Sequence, residues 1–360
     1  MSIKNKYIGI LLIATAMLLS ACSSDNPEAQ TDTTGNEPVG KEVQLMSYAS
    51  PFTDKKLAHR AAAAPTGFSS YTPDKNTNMG VYMLLSEDPT TDWASPEEGR
   101  ITYNPNTNKW NAYFEVTAGK TYTVYGYMPK IGDMASSLAK STADAATLTI
   151  TGIKPVTTDD ICIITGVKET DEGLKEGQFS WNTPTTGNQT FYINILMDHL
   201  YAAAQFRLKI DAEYAALRTI KLKTMTLSTN KGSVNAVISL THNTTGVSPV
   251  SSVAYTASGS SDAVVIFNSD AGEALKTTES LDINACFAPT LSNNLTLVTT
   301  YDVYDSKDNL IRQNCTATNK LPNLDATRGQ KVQVNMTVNP TYLYVLSEPD
   351  LDNPTITIGN

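Results

Sequence analysis

Apolar and polar residues alternate in short stretches along most of the chain, and turns rich in Gly, Asn, Asp and Pro separate these stretches. Alternation places one set of side chains on each face of a strand, and the abundant Thr, Val, Tyr and Ile residues fit half-buried sheet surfaces. The pattern predicts strands at residues 42–48, 79–85, 101–103, 110–116, 121–128, 147–150, 161–165, 191–196, 203–210, 220–228, 236–240, 263–267, 281–288, 295–304 and 330–338.

Helical periodicity is scarce. Residues 211–217 are predicted to form one or two helical turns. The Ala/Ser-rich stretch 134–146 lacks a clean apolar face and is predicted to form a loop or a short helix. Many short strands with turns between them are typical of an all-β protein with antiparallel β-sandwich architecture. We expect two such domains in tandem, residues 42–188 and 189–338, joined at the polar stretch 182–188.

The N-terminus carries an export signal. Lys4 and Lys6 precede an apolar run, residues 7–19, which is too short for a comfortable membrane span and is typical of a cleaved signal peptide, residues 1–21. The next residues, Leu19-Ser20-Ala21-Cys22, resemble the lipobox of bacterial lipoproteins. The resemblance implies that Cys22 is acylated and becomes the first mature residue, so that its lipid attaches the protein to a membrane.

Composition adds to this picture. The 360 residues carry a formal net charge of −9, and this acidic balance argues against nucleic-acid binding through phosphate contacts. Residues 22–41 are almost entirely polar, so they cannot contribute to a core and are expected to form a disordered tether.

Cysteine usage indicates neither a disulfide framework nor a metal site. Cys162 lies in an apolar run and is expected to be a buried free thiol, whereas Cys286 and Cys315, both in strand-like segments, could pair or stay free. No two histidines, His59 and His199 among them, have the spacing of metal ligands such as those of a His-x-x-x-His zinc site. We therefore expect no metal and no cofactor.

Motifs for catalysis are also missing from the sequence. It contains neither a Gly-x-Ser-x-Gly elbow nor a phosphate-binding loop. The adjacent acids Asp159 and Asp160 are expected to lie in a solvated loop. Asp302, Asp305 and Asp308 do not have calcium-loop spacing and are better explained by a turn. We therefore predict no catalytic residues and no enzymatic activity.

Several segments resemble the fimbrillin family of Bacteroidales, the subunits of type V pili. The order of a lipobox, a polar tether, a lone strand, a basic loop and two β-domains is similar to that of the family. Individual segments that resemble family strands are Gly80-Val81-Tyr82, residues 122–129, Asp159-Asp160-Ile161, residues 197–206 and residues 329–334.

The resemblance implies a transthyretin-like sandwich fold, delivery to the outer membrane as a lipoprotein, and polymerisation at the cell surface. A trypsin-like protease would cut after Arg60, or alternatively after Lys55 or Lys56, and residues 42–60 would leave as a propeptide. The implied partners are other pilin subunits, the protease and, before cleavage, the membrane, and the resulting fimbria would bind a host or bacterial surface.

The C-terminal tail, residues 339–360, is the candidate donor strand. Its strand-forming residues are Tyr342, Leu343, Tyr344, Val345, Leu346, Ile356 and Ile358. We expect these strands to enter another subunit, although pairing within their own domain is the alternative. Two other functions stay open: a pilus anchor that keeps its lipid, and a glycan-binding lipoprotein that uses Trp93, Trp110, Trp181 and many of the 17 tyrosines.

Overall fold

Strands dominate the computed structural model, which describes residues 41–49, 51–54, 69–70, 78–85, 97–98, 100–104, 109–114, 116–142, 144–186, 190–242, 248–339 and 355–359. Within these residues the only helical elements are α1 (Ala212–Ala215) and a 3₁₀ turn, Pro289–Leu291. The prediction of an all-β fold with little helix is confirmed. The strands are β1 (Lys41–Ala49), β2 (Thr53–Asp54), β3 (Ser69–Ser70), β4 (Asn78–Leu85), β5 (Glu97–Glu98), β6 (Arg100–Asn104), β7 (Lys109–Phe114), β8 (Thr121–Lys130), β9 (Ala135–Thr142), β10 (Ala145–Ile153), β11 (Val156–Thr157), β12 (Cys162–Lys168), β13 (Ser180–Asn182), β14 (Phe191–His199), β15 (Ala202–Ile210), β16 (Arg218–Thr229), β17 (Ser233–Thr241), β18 (Val250–Ser258), β19 (Asp262–Ala274), β20 (Leu281–Phe287), β21 (Thr296–Asp305), β22 (Leu310–Lys320), β23 (Gln330–Val338) and β24 (Thr355–Gly359).

Four sheets contain these strands. The largest has the order β5-β4-β8-β12-β14-β1-β7-β6, with β13 paired to β8 and β3 paired to β1. A second sheet has the order β18-β17-β10-β9. The third is β11-β20-β15-β23-β2 with β24 also on β23, and the fourth is β19-β16-β21-β22. Strands from both sides of residue 188 share the first, second and third sheets, and the division into tandem domains at that residue stays a prediction.

Three groups of buried apolar side chains lie against these sheets. One group lies within the largest sheet and includes Val43, Leu45 and Phe191. A second packs side chains of the largest sheet, such as Tyr127, against those of the second sheet, such as Ile150. The third fills the space between the third and fourth sheets. Burial of alternate strand residues is therefore what holds the sheets face to face.

The stretch 134–146 corrects one expectation. It was predicted to be a loop or a short helix, but it forms β9 and the start of β10. Ser136, Leu138 and Lys140 are half-buried while Ser137 and Ala139 between them are exposed, so the side chains do alternate, but only one of the three is a large apolar residue. Pairing with β10, which local sequence does not reveal, supplies the strand conformation.

Other local expectations are confirmed. The side chain of Asp211 accepts hydrogen bonds from the backbone N–H groups of Glu213 and Tyr214, which caps the single turn α1. Asp305 forms the predicted turn by accepting from the N–H groups of Lys307 and Asn309. Short-range side-chain chemistry thus places both features correctly.

The cysteines of the described residues form no disulfide with one another. Cys162 is a buried thiol outside any disulfide, as predicted, and Cys286 and Cys315 are also not disulfide-bonded. The alternative of a Cys286–Cys315 disulfide is therefore not realised in this structure.

Candidate functional site

Strand β1 lies in the interior of the largest sheet. It runs parallel to β14, from the pair Val43–Phe191 to the pair Ala49–Met197. Its other edge pairs antiparallel with β7 along residues 41–45 and with β3 at residues 48 and 49. Both backbone edges of β1 are occupied, so this N-terminal strand completes the sheet instead of lying at its border.

Alternate side chains of β1 enter the core. Val43, Leu45 and Ala49 are at most 4% exposed, whereas Met46, on the opposite face, is 39% exposed. Burial of a Val or Leu side chain contributes about 1.5–3 kcal/mol. The strand is therefore held by apolar contacts as well as by backbone hydrogen bonds.

The segment after β1 contacts the third sheet. Strand β2 pairs parallel with the start of β23, and the N–H of Thr53 donates to the carbonyl of Gly329 at 2.9 Å. Lys331 Nζ lies 3.6 Å from a carboxylate oxygen of Asp54. The ring of Phe52 stacks on His199 with 3.7 Å between ring centroids. Residues 41–49 and 51–54 thus contact two sheets before the basic loop.

The C-terminal strand β24 shares an edge with β2. Strand β15 pairs along one side of β23, from residue 331 to residue 338. The other side of β23 pairs with β2 at residues 330 and 331 and with β24 at residues 333–337. The leading segment and the tail are therefore neighbours on one strand edge.

A buried polar cluster lies beneath Phe52. Cys162 and His199 face each other as a cross-strand pair of β12 and β14. The Nδ1 atom of His199 lies 2.7 Å from Asp160 Oδ2 and 3.8 Å from Cys162 Sγ. Burial, together with the nearby carboxylates of Asp160 and Asp198, raises the pKa of the Cys162 thiol well above its usual value. The thiol is therefore neutral around pH 7.

An ion pair fixes β14 against the loop before β23. Asp198 is 1% exposed and its carboxylate binds the guanidinium of Arg328. The same guanidinium donates to the carbonyl of His199 at 2.9 Å, and the His199 N–H donates to Asp198 at 2.9 Å. A buried carboxylate with a cation and hydrogen bonds is compatible with the interior, and it orients the end of β14.

The structure places only part of the predicted site. Cys22, Lys55, Lys56, Arg60 and the tail residues Tyr342, Leu343, Tyr344, Val345 and Leu346 lie outside the described residues. Ile356 and Ile358 belong to β24, where they pair with Met336 and Val334 of the same chain. This pairing describes one subunit by itself, and donation of the tail to another subunit stays a prediction.

The aromatic residues considered for glycan binding are largely in the core. Trp110 is 5% exposed, and Trp181 is fully buried, with its indole N–H donating to the carbonyl of Tyr192 at 2.7 Å. Trp93 lies outside the described residues. Side chains buried in this way cannot form a platform that stacks on a sugar.

The cluster of Asp160, Cys162 and His199 is a feature that the sequence analysis missed. Asp160 was expected in a solvated loop, but its side chain is only 20% exposed and binds His199. The two-residue spacing of Asp160 and Cys162 indicates that their side chains lie on the same side, because alternate residues of an extended chain share one side. The position of His199 opposite them depends on strand register, which no local motif encodes.

Comparisons with known proteins find structural likeness at low identity. No family model and no curated protein matches the sequence. A candidate cell adhesion protein from Bacteroides fragilis is 10% identical with a TM-score of 0.39, covering 89% of this chain and 97% of that one. A fimbrial protein from Bacteroides vulgatus is 13% identical with a TM-score of 0.35, covering 87% and 98%. The fimbrial anchor protein Mfa2 from Porphyromonas gingivalis is 11% identical with a TM-score of 0.26, covering 88% and 96%.

These neighbours are fimbrial and adhesion proteins, but identities of 10–13% with TM-scores below 0.5 do not assign the chain to a family. Within the part of the chain that the structure describes, no helix is long and apolar enough to span a lipid bilayer.

Proposed function

We propose that this protein is a structural pilin that is exported as a lipoprotein, matured by proteolysis and polymerised by strand exchange into adhesive surface pili. Acylated Cys22 holds the precursor at the outer membrane. A trypsin-like protease then cuts after Arg60, and the lipid leaves together with the segment that contains β1. Cleavage thus breaks the covalent link between the lipid and the subunit, and the lipid-bearing segment leaves when a strand from another subunit displaces β1.

The position of β1 is the observation that carries the proposal. Loss of an edge strand would merely shorten a sheet, whereas loss of β1 removes an interior strand between β14 and β7. Both neighbours would then present unpaired N–H and C=O groups, and the contacts of Val43 and Leu45 would become an open apolar groove. Such a groove strongly favours the addition of an extended strand.

The tail has the sequence that such a groove requires. Tyr342, Tyr344 and Leu346 would lie on one face of an extended strand, and Leu343 and Val345 on the other. The buried positions of β1 follow the same two-residue spacing. A tail strand from a second subunit would therefore replace both the backbone pairs and the apolar contacts of β1.

Cleavage alone does not release β1. After a cut at Arg60, residues 41–54 would remain bound through the β14 and β7 pairs, the Phe52–His199 stack and the β2–β23 pairs. The incoming strand must displace them. Because β1 stays bound until a partner subunit arrives, the groove remains closed until then. The edges of β14 and β7 are thereby protected from aggregation.

Limited digestion tests the cleavage step. The full chain is treated briefly with trypsin, and its new N-terminus is sequenced together with that of Arg60→Gln and of a Lys55→Gln/Lys56→Gln control. We expect Ala61 as the new N-terminus of wild type and of the lysine control, followed by SDS-resistant ladders. Arg60→Gln should give neither.

Two results would contradict the proposal. One is a wild-type chain that is cut after none of Lys55, Lys56 and Arg60. The other is a chain that is fully cut after Arg60 and loses residues 22–60 but stays monomeric. A chain that resists cleavage and keeps its lipid would instead behave as a pilus anchor.

A further inference from the structure

Three different metal-binding groups converge in the cluster beneath Phe52. Asp160 offers a carboxylate oxygen, Cys162 a sulfur and His199 an imidazole nitrogen, and the three ligand atoms lie within 4.8 Å of one another. A mixed set of sulfur, nitrogen and oxygen ligands is typical of Zn²⁺ and unlike the all-oxygen sets of Ca²⁺ or Mg²⁺. The chemistry of this site therefore selects a borderline-soft divalent cation.

The distances fit an ion of this size. With separations of 2.7 Å, 3.8 Å and at most 4.8 Å, the three atoms lie on a circle of limited radius. That radius is at most about 2.4 Å, whereas Zn–N, Zn–O and Zn–S bonds are about 2.0–2.3 Å long. An ion near the centre of this circle would be at bonding distance from all three atoms with only small movements of the side chains.

We propose that Asp160, Cys162 and His199 bind one Zn²⁺ ion per chain, with water as the fourth ligand. Cys162 and His199 are 0% and 3% exposed, so they provide the closed side of the site. The side chain of Asp160 is 20% exposed, which leaves solvent a route to the ion. On binding, Zn²⁺ displaces the proton between His199 Nδ1 and Asp160 Oδ2 and the proton of the Cys162 thiol, and both protons pass to solvent.

The surroundings hold the ligands in place. Cys162 and His199 are fixed by direct cross-strand pairing of β12 with β14. Phe52 stacks on the His199 ring at an interplanar angle of 16°, and Arg328 binds the backbone carbonyl of the same residue. Contacts around metal ligands restrict their orientation and raise affinity. The position of Phe52 also places the site directly beneath the segment that precedes the basic loop.

Titration of the full chain with Zn²⁺ tests the site, and Co²⁺ supplies a spectroscopic probe. Calorimetry should give one Zn²⁺ per wild-type chain, and bound Co²⁺ should show a thiolate-to-metal charge-transfer band. Cys162→Ser should bind at least about tenfold more weakly and lose the band. Cys286→Ser, which alters a buried cysteine of a different core group, should leave both unchanged.

Stability measurements keep the test decisive if a variant folds poorly. Zn²⁺ should raise the melting temperature of wild type and of Cys286→Ser, because a ligand of the native state stabilises it, but not that of Cys162→Ser. Asp160→Asn, at the partly exposed ligand, is the second variant and should also weaken binding. A wild-type chain that binds no Zn²⁺, or equal binding by Cys162→Ser and wild type, would overturn the proposal.

Discussion

Replacement of Leu45 by Ala probes how firmly β1 is held. Leu45 is 2% exposed and pairs with Ile193 of β14 and Trp110 of β7, so the smaller side chain leaves a cavity between three strands. Substitutions of this kind cost about 2–5 kcal/mol. Met46, the next residue, is 39% exposed on the opposite face, and Met46→Ala should change stability by only about 0.5 kcal/mol.

Urea denaturation of the uncut chain measures the loss of unfolding free energy. Displacement of β1 from the cut chain by a second subunit measures the change in the rate at which β1 is released. Because 1.4 kcal/mol is a factor of ten, a loss of 2 kcal/mol should speed release of the cut segment up to about 30-fold. The fluorescence of Trp110, which lies beside Leu45, provides the signal. Equal effects of Leu45→Ala and Met46→Ala on unfolding and release would refute the described packing of β1.

Two further predictions concern buried ionisable groups. Arg328→Ala should lower the unfolding free energy by about 3–5 kcal/mol, because it leaves buried Asp198 without its cation, whereas Arg207→Ala, at a pair that is over one-third exposed, should cost about 1 kcal/mol or less. Burial raises the pKa values of the Cys162 and Cys286 thiols, so the folded chain holds these protons more tightly than the unfolded chain does. The unfolding free energy of the metal-free protein, measured by urea titration, should therefore fall above about pH 8.5. A Cys162→Ala/Cys286→Ala variant should show a smaller fall. An equal fall in the variant and in wild type would contradict the burial of the thiols.

Local sequence was sufficient for most strands but not for their partners. The apolar-rich stretch at residues 42–48 identified β1, and the two turns at Asp211 and Asp305 depend on hydrogen bonds to residues within four positions. The pairing of β1 with β14, almost 150 residues later, depends on contacts that no window of sequence contains. The strand β9 was missed for the same reason, since its small residues become a strand only through β10.

The polar cluster is a second feature that strand pairing creates and that the local sequence does not reveal. Asp160, Cys162 and His199 were each noted in the sequence, and each has an ordinary explanation by itself. Their meaning changes only when strand register brings Cys162 opposite His199 and carries Asp160 to within hydrogen-bonding distance. A register shift of one residue would turn one of these side chains to the other face of the sheet.

The central claim, that a tail strand replaces β1 in another subunit, is tested most directly by removing the tail. The wild-type chain and a chain ending at Val338 are both cut after Arg60, and their masses are followed by size-exclusion chromatography with light scattering. Melting curves of the uncut chains verify that both are folded. The account predicts polymers for wild type and monomers for the truncated chain. Equal polymerisation of both, or none by the cut wild type, would contradict it.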